Sequence, residues 1–320
     1  MTHSYQLPTL IKLTESIFQL VVRYPFGMRE LNSYLIRGDN GYTVIDTGSY
    51  AQESIQIWEE TIASGILVEK VVVTHAHPDH IGLAKWFQES HHIPVFISDF
   101  SYKEIQKRQK QEGDAKGLTT FLQKHGGKNI PEQEIHTESF VFDFEPDGLF
   151  EHGQNIQLGN DTYETIWTPG HSPDHICFYH PQEKVMLVGD HVLAKISPII
   201  GIWSEDVENP LKDYFASLEK TSTYTTDLAL PGHGELINNL KDRTEQIHSN
   251  HKYRLRQTLE SVKDEWKTAS QVCQDIYGTI SREIMLAPLM ATVTRCIYLE
   301  SLGEICREIR NGDILFKAIK

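Results

Sequence analysis

Four side chains that can bind a metal ion lie close together in residues 74–80, which read Thr-His-Ala-His-Pro-Asp-His. They follow a run of three valines, which is typical of a buried β-strand in an α/β protein. Side chains at the carboxyl end of such a strand lie where open α/β sheets usually place their chemistry. An extended loop turns His75 and His77 to the same side, while Asp79 and His80 face a second position nearby. The segment therefore predicts two adjacent metal positions that suit zinc, with iron or manganese also compatible.

Three further strand ends carry side chains of the same kind. They present His171 in Thr-Pro-Gly-His, Asp190 in Gly-Asp and His233 in Pro-Gly-His-Gly. Each lies beside a glycine, which permits a tight turn. Asp46, in Val-Ile-Asp-Thr-Gly, ends another strand, although an aspartate there is often only a turn former. A polar surface loop would explain one of these motifs, but chance is a poor explanation for ligand-type residues at four strand ends.

The elements that must position these residues alternate between strand and helix, which predicts the α/β class with some α+β character. Helices are predicted at 50–64 and 81–90 and from Asn209-Pro210 onward. Strands are predicted at 18–24, 32–37, 42–46, 70–74, 94–98, 149–158, 163–168, 176–179, 185–188 and 228–230.

Two segments depart from this alternation. Residues 99–147 are polar, charged and sparsely apolar, and two interpretations compete: a solvated excursion, or a helical insertion that acts as a lid over the histidine loop. The second is favoured, because the segment leaves the sheet just after the metal motif. Beyond residue 245 the pattern becomes helical, with a capping sequence at Thr268-Ala269-Ser270-Gln271, and short β-like pieces follow Gly303. This predicts a catalytic domain over 1–245 and a small domain over 246–320.

Composition narrows the class of partner. The 320 residues are 39% hydrophobic and 23% charged, which is ordinary for a soluble globular protein. The net charge of −14 argues against general affinity for nucleic acid or anionic membrane, and no apolar run is long enough to span a bilayer. The four cysteines are scattered without C-x-x-C spacing, as expected of reduced thiols in the cytoplasm.

The ordered set of motifs resembles that of the metallo-β-lactamase superfamily, over roughly residues 15 to 240. The resemblance implies an αββα sandwich with a binuclear site in the cleft between its two sheets. Carried over by position, the first metal would be bound by His75, His77 and His171. The second metal would be bound by Asp79, His80 and His233, and Asp190 would bridge the two. Asp46 would touch ligands of the histidine loop and hold them in place.

Departures within that family favour hydrolysis, as in its glyoxalase II-like branch. Many true β-lactamases have a cysteine ligand, whereas this chain has Asp190. The redox-active di-iron branch has a glutamate where His77 stands here. Two cations lower the pKa of a shared water, so a metal-bridging hydroxide is the expected nucleophile. Asp79 is the candidate catalytic residue that orients this hydroxide or accepts its proton. Other histidines, His125 among them, have no evident partners and are expected to be solvated.

The C-terminal helices and hairpin resemble the winged-helix appendage of one large subgroup of these hydrolases. A winged helix can bind DNA, yet residues 246–320 hold 11 Lys/Arg and 9 Asp/Glu, a balance of +2 that leaves −16 for the remainder. Nucleic-acid surfaces normally show a concentrated basic stripe. The appendage is therefore expected to pack, to shape the cleft or to form a homodimer, and the expected partner is a small-molecule substrate.

Three functions stay open at this point. Hydrolysis of a carboxylic ester, thioester or lactone needs only the metals and an apolar wall, for which Ile199, Ile200 and Trp203 are candidates. Phosphodiesterase or ribonuclease activity is the runner-up, since binuclear sites suit in-line displacement. A non-catalytic metal-binding sensor is the alternative of another class, although all seven ligand positions are filled here.

Overall fold

A seven-stranded sheet carries the histidine loop. The computed structural model describes residues 9–110, 115–127, 139–202, 208–279 and 286–319. The strands of this sheet, in their order across it, are β1 (Ile11–Lys12), β2 (Ile17–Arg23), β3 (Glu30–Arg37), β4 (Tyr42–Ile45), β5 (Val68–Val72), β6 (Val95–Ser98) and β7 (Gly148–Phe150). Strands β1 to β4 pair antiparallel, and β4 to β7 run parallel. Asp46 and the histidine loop follow β4 and β5, which are parallel neighbours, so both lie at one edge of the sheet.

A five-stranded sheet carries the other predicted ligands. Its strands are β8 (Asn155–Leu158), β9 (Asp161–Trp167), β10 (Ile176–His180), β11 (Val185–Gly189) and β12 (Leu228–Pro231), each beside the next in this order. Since β10 is antiparallel to both β9 and β11, and β11 is parallel to β12, the carboxyl ends of β9, β11 and β12 meet at one edge. His171, Asp190 and His233 follow those three ends.

The two sheets stack face to face between helical layers. Their facing surfaces share a buried cluster that includes Tyr34, Phe178 and Leu187. The outer face of the first sheet is covered by α1 (Gln52–Ala63), α3 (Ala84–His91) and α4 (Asp99–Lys110), with a separate buried cluster around Trp58. The outer face of the second sheet is covered by α6 (Pro210–Ser222) and α7 (Leu240–Ser261). This is the predicted αββα sandwich.

Local signals placed several elements correctly. Helix α6 begins at Pro210, and the Asn209 side chain accepts a hydrogen bond from the Lys212 amide. Helix α8 (Ala269–Tyr277) begins with a capping box between Thr268 and Gln271. The single strand predicted at 149–158 is wrong, because this segment forms the end of β7 and all of β8, in different sheets. The predicted helix at 81–90 is likewise split into α2 (Pro78–Ile81) and α3.

The segment 99–147 is partly helical. Its described elements are α4, α5 (Ala115–Lys124) and a 3-10 turn at Ser139–Phe142; residues 111–114 and 128–138 lie outside the described ranges. His125, just after α5, is 2% exposed and its ring stacks on Phe316 near the C-terminus. The expectation that His125 is solvated is therefore wrong, because tertiary packing covers it.

The C-terminal segment continues with β13 (Lys267–Thr268), α8, α9 (Leu286–Ser301), β14 (Ile305–Arg310) and β15 (Asp313–Ala318). The three strands form an antiparallel sheet in the order β13-β15-β14. The domain boundary predicted after residue 245 falls inside α7, which starts at Leu240. Buried side chains of α9 belong to the same cluster as those of α6 and the second sheet. None of the described helices is long and apolar enough to cross a membrane.

Candidate metal centre

The seven predicted ligands meet in the cleft between the two sheets. Their ligand atoms form three overlapping groups, each within 4.8 Å: His75 with His77 and His171, His75 with His80 and Asp190, and Asp79 with His80 and His233. The first group is the histidine set expected for the first metal, and the third group is the set expected for the second. These groups come from four strand ends in two sheets, so only the stacking of the sheets brings them together.

Asp190 lies between the two sets. Its Oδ2 is 3.5 Å from His171 Nε2 of the first set and 3.5 Å from His233 Nε2 of the second. Its Oδ1 is 3.5 Å from His80 Nε2. The carboxylate thus faces both positions, as a bridge requires. Asp79 Oδ2 lies 3.3 Å from His233 Nε2 on the side of the second set.

The ligand atoms fit a bound cation because they lack protein partners. The Nε2 atoms of His75, His80, His171 and His233 and Oδ1 of Asp190 are buried without a hydrogen bond. A buried polar atom without a partner costs about 1–3 kcal/mol, so five such atoms in one cleft need an explanation. Neutral imidazole nitrogens beside carboxylates form a donor set that suits divalent transition metals.

The opposite ring nitrogens are held by the protein. His171 Nδ1 donates to the Ile199 carbonyl at 3.0 Å, and His233 Nδ1 donates to the Glu30 carbonyl at 2.6 Å. A carbonyl only accepts, so in each neutral ring the proton lies on Nδ1 and Nε2 keeps a free lone pair. These contacts select the tautomer that can bind a metal.

Asp46 performs the same task for the histidine loop. Its Oδ2 accepts from His80 Nδ1 at 2.8 Å and from the Thr74 hydroxyl at 2.8 Å, and its Oδ1 accepts from the Thr74 amide at 2.8 Å. Because the Thr74 hydroxyl donates to Asp46, it accepts from His75 Nδ1 at 2.9 Å. Asp46 therefore orients one histidine directly and another through Thr74. The backbone at Asp46 has a φ of 61°, a left-handed conformation that turns the chain at the end of β4.

Close packing at the strand ends requires glycine at two positions. A Cβ at Gly232 would lie 2.6 Å from Asp190 Oδ1 and 2.8 Å from a ring carbon of His80. Gly189 has a φ of +47°, and a Cβ there would lie 2.6 Å from His175 Nε2. A side chain at Gly232 would displace two predicted ligands, and one at Gly189 would displace His175. Both glycines therefore permit the second sheet to approach the histidine loop.

The electrostatics differ between the two sets. Burial, and then the neighbouring histidines, hold the pKa of His75 and His77 well below the usual range. Burial would also lower the pKa of His80, but the carboxylates of Asp46 and Asp190 raise it well above the usual range. The pKa of His233 is likewise raised, since Asp190 and Asp79 outweigh its burial. Without a metal, the second set is therefore the one that holds protons.

Several further buried residues support the site. The sequence predicts His175 and His191, which adjoin the motifs, as donors to substrate or to a ligand carboxylate, with a supporting or surface role as the alternative. The Asp174 carboxylate accepts from the Ala76 amide at 2.7 Å and from the Ser172 hydroxyl, which fixes the loop between two ligands. His175 and His191, which adjoin the motifs, are both buried. His175 Nε2 accepts from the Asp190 amide at 3.1 Å, and His191 Nε2 pairs with Thr221 at 2.9 Å. His175 thus holds the backbone of Asp190, and His191 contacts α6 through Thr221. These partners are far apart in the sequence, so they could not be predicted from it.

The structure describes two of the three residues that the sequence predicts as the apolar wall of the substrate site. Ile199 is 42% exposed and its carbonyl receives the His171 hydrogen bond, whereas Ile200 is buried. Both line a cavity of about 560 Å³ beside α7 and α9. Trp203 falls outside the described residues.

A four-layered sandwich whose sheet edges present clustered histidines and carboxylates defines the β-lactamase-like class of metallohydrolase folds. Residues 28–233 match the family described as the Metallo-beta-lactamase superfamily. That match covers more than half of the chain, and the chain belongs to this superfamily. The predicted fold, the family and the expectation of a metal-dependent hydrolase are confirmed. Members of the superfamily typically bind divalent metals.

Two similar proteins indicate the range of functions among the relatives. The chain is 26% identical to the probable metallo-hydrolase YqjP of Bacillus subtilis, over 96% of this chain and 99% of that protein. It is 24% identical to the atrochrysone carboxyl ACP thioesterase nsrC of Aspergillus novofumigatus, over 84% of this chain and 70% of that protein.

Solved structures share the fold over nearly the whole chain. The metallo-beta-lactamase family protein TTHA1429 of Thermus thermophilus superposes with a TM-score of 0.84 at 25% identity, covering 96% of this chain and all of that chain. A Beta-lactamase domain protein of Burkholderia ambifaria superposes with a TM-score of 0.86 at 23% identity, covering 99% of this chain and 96% of that chain. The likeness extends through the C-terminal segment as well as the sandwich.

Proposed function

We propose that the protein is a binuclear metal-dependent hydrolase that cleaves a small carboxylic ester, thioester or lactone. The observation that carries the proposal is the pair of ligand sets joined by Asp190, with four buried Nε2 atoms facing one cleft. Zinc fits the donors best, and iron or manganese is compatible with the carboxylates. When bound, two such ions would supply a nucleophile from water at neutral pH and polarise the scissile carbonyl.

The chain's own residues would perform three tasks. His75, His77 and His171 would hold the first ion, and His80 and His233 the second, with tautomers set by their Nδ1 contacts. Asp190 would offset the repulsion between the two cations. The Asp79 carboxylate, 3.3 Å from His233 Nε2, would also orient the attacking water or accept its proton.

The preference for an acyl substrate rests on charge and on the cavity. A polyanion such as RNA approaches a protein of net charge −14, and physiological salt screens only the part of this field beyond about 8 Å. A compact acyl compound avoids most of that penalty and can bury apolar surface against Ile199 and Ile200, which line the cavity. The relative named as an ACP thioesterase agrees with an acyl substrate.

We also propose a division of labour along the chain. Residues 1–245 would form the catalytic unit, 246–320 a winged-helix-like appendage, and 99–147 a lid-like insertion. In support, the C-terminal elements follow the order helix, strand, two helices and two strands, with antiparallel pairing. In support of the lid, α4 carries Arg108, whose charge is one cause of the lowered pKa of His77.

A substrate panel on metal-reconstituted protein tests the proposal. Thioesters, lactones, aryl esters, bis-p-nitrophenyl phosphate and a short RNA are compared by kcat/KM. We expect at least one acyl compound to exceed both phosphodiesters, and His233→Ala to abolish its turnover while the protein stays folded. If a phosphodiester or RNA is turned over faster than every acyl compound, the protein is a phosphodiesterase or ribonuclease and the proposed acyl specificity is wrong. Metal binding with no turnover of any compound would favour a sensor.

A further inference from the structure

The cavity beside the metal centre is lined by two arginines, and one of them has buried N–H groups without a hydrogen bond among the described residues. Its walls come from residues 197–200, from α6 and α7, and from Tyr277 and α9. Arg295 of α9 is 6% exposed, and its Nε and Nη1 atoms are buried without a hydrogen bond. Burying a guanidinium is costly unless its N–H groups are paired. An arginine buried in this way at a cavity wall therefore has capacity for an acceptor that the described protein atoms do not provide.

A second arginine faces the same cavity. Arg254 of α7 also lines it, and its guanidinium lies 4.8 Å from the centre of the Tyr277 ring, over which Arg295 lies at 5.9 Å. One hydrogen bond of Arg254, from Nη1 to Gln257 at 2.8 Å, fixes its side chain but neutralises no charge. The two guanidinium groups thus share one aromatic ring as a support.

No acidic residue offsets this charge among the described residues that line the cavity. His251 lies on the same wall, and its Nε2 is buried without a partner. Burial, and then the charge of Arg295, lower the pKa of His251 to about 3, so this ring is neutral at physiological pH and can donate or accept. The chain as a whole is acidic, so two arginines and no carboxylate among the described lining residues are a local exception to its charge.

The rest of the lining is mostly apolar, with uncharged polar side chains at Ser197, Asn250 and Thr294, and one apolar residue contacts the metal centre. Ile199, Leu211 and Ala291 line the cavity with the rings of Tyr253 and Tyr277. Ile199 is also the residue whose carbonyl fixes His171. At about 560 Å³ the cavity is of the size that binds small organic ligands. A molecule that lies along Ile199 would reach from the arginines toward the predicted ligand cluster.

We propose that this cavity binds the substrate through an anionic group, a carboxylate or a phosphate, held by Arg295 and Arg254 while the apolar part lies against Ile199. The inference rests on the proposed acyl hydrolase and specifies its substrate class: an ester, thioester or lactone that carries one anionic group away from the scissile bond. Guanidinium groups bind planar carboxylates and phosphates through charge-assisted hydrogen bonds, which gives both strength and orientation.

Three thioesters test this assignment on the metal-loaded full chain. The hexanoyl thioester of pantetheine is neutral, its adipoyl analogue adds a carboxylate, and the hexanoyl thioester of phosphopantetheine adds a phosphate. We expect kcat/KM to favour one of the two anionic compounds by about tenfold or more, mainly through KM. In Arg295→Met, which keeps an unbranched apolar side chain of similar length, this preference should fall to near one. Which compound is preferred identifies the source of the anion.

The matched control is Arg256→Met, on the same helix as Arg254 but exposed and absent from the cavity wall. It removes the same charge from the chain and should keep the preference. If Arg256→Met lowers the preference equally, net charge and not the cavity explains it, and the assignment is wrong. Arg254→Met gives the same test where Arg295→Met fails to fold. An unchanged preference in both cavity variants also overturns the assignment.

A binding measurement separates this inference from the proposed function. Hexanoate and hexyl phosphate should each raise the Tm of the metal-loaded wild type more than hexanol does, and this excess should shrink in Arg295→Met. Anion binding at the metals is common to both proteins and cancels in the comparison. If no acyl compound is hydrolysed, the proposed function fails while the excess in Tm still reports on the cavity. An equal excess in wild type and Arg295→Met refutes the cavity site.

Discussion

Replacement of Asp46 by asparagine should weaken the second metal position without changing any ligand. Asparagine has the same shape and tolerates the left-handed backbone at this residue, so the turn after β4 is preserved. In the wild type the carboxylate accepts three hydrogen bonds, two from Thr74 and one from His80 Nδ1. The amide oxygen can keep the bond from the Thr74 amide. The amide nitrogen then faces two donors, the Thr74 hydroxyl and His80 Nδ1.

The physical consequence is a change of tautomer. His80 can accept from the new amide only if Nδ1 gives up its proton and the proton of the neutral ring lies on Nε2, the atom that faces Asp190 and the metal position. That switch recovers one of the two lost hydrogen bonds, so the metal-free protein should lose about 1.5–3 kcal/mol of unfolding free energy, the contribution of one bond to a charged group. Loss of such a supporting contact typically lowers metal affinity about 10- to 100-fold.

Chelator competition measures the affinity for each ion, and urea unfolding of the metal-free protein measures the stability. We expect the affinity for the second ion to fall within that range while the first ion is lost less readily. Asp143→Asn serves as the control, because this carboxylate is 80% exposed on its side chain and remote from the ligands. An Asp46→Asn protein that binds both ions with wild-type affinity would refute the argument that Asp46 selects the His80 tautomer.

Three further predictions concern the metals. Elemental analysis of purified protein should find about two transition-metal ions per chain, and less than half an ion after reconstitution would contradict a binuclear site. The His171→Ala variant should lose mainly the first ion, and the His233→Ala variant should lose mainly the second. The Asp190→Ala variant should lose both, and full metal content in it would exclude a bridging role. Affinity for the second ion should fall first as the pH is lowered. The raised pKa of His80 means that a proton must leave before this ion binds, whereas His75 in the first set is already neutral. Chelator competition across pH checks this, and simultaneous loss of both ions would contradict it.

Dimer formation stays a prediction, and sedimentation of the metal-loaded protein would test it. The lid role of 99–147 also stays a prediction. Its contacts run in two directions, since α4 lies over β6 and β7 while His125 packs on Phe316 of the C-terminal sheet. A segment that contacts both the first sheet and the C-terminal sheet can couple the appendage to the cleft.

Much of the fold and the site could be predicted from the sequence because their signals are local. A ligand-type residue beside a glycine after an apolar run can be recognised without knowing what lies opposite. That is why His75, His171, Asp190 and His233 could be predicted as ligands from the sequence, and why the starts of α6 and α8 were placed at their capping residues. The order of these motifs along the chain then indicated the superfamily, since few folds need so many strand ends of this kind.

Tertiary structure alone decided the properties that depend on which surfaces meet. Residues 149–158 look like one strand because local periodicity cannot reveal that the chain crosses from one sheet to the other after β7. The buried state of His125 depends on Phe316, nearly two hundred residues later in the chain. Likewise Arg254 and Arg295 lie on separate helices, and nothing in the sequence relates one to the other. Only the packing of α7 against α9 places them on one cavity wall, because burial and charge pairing are properties of the folded surface and not of a segment.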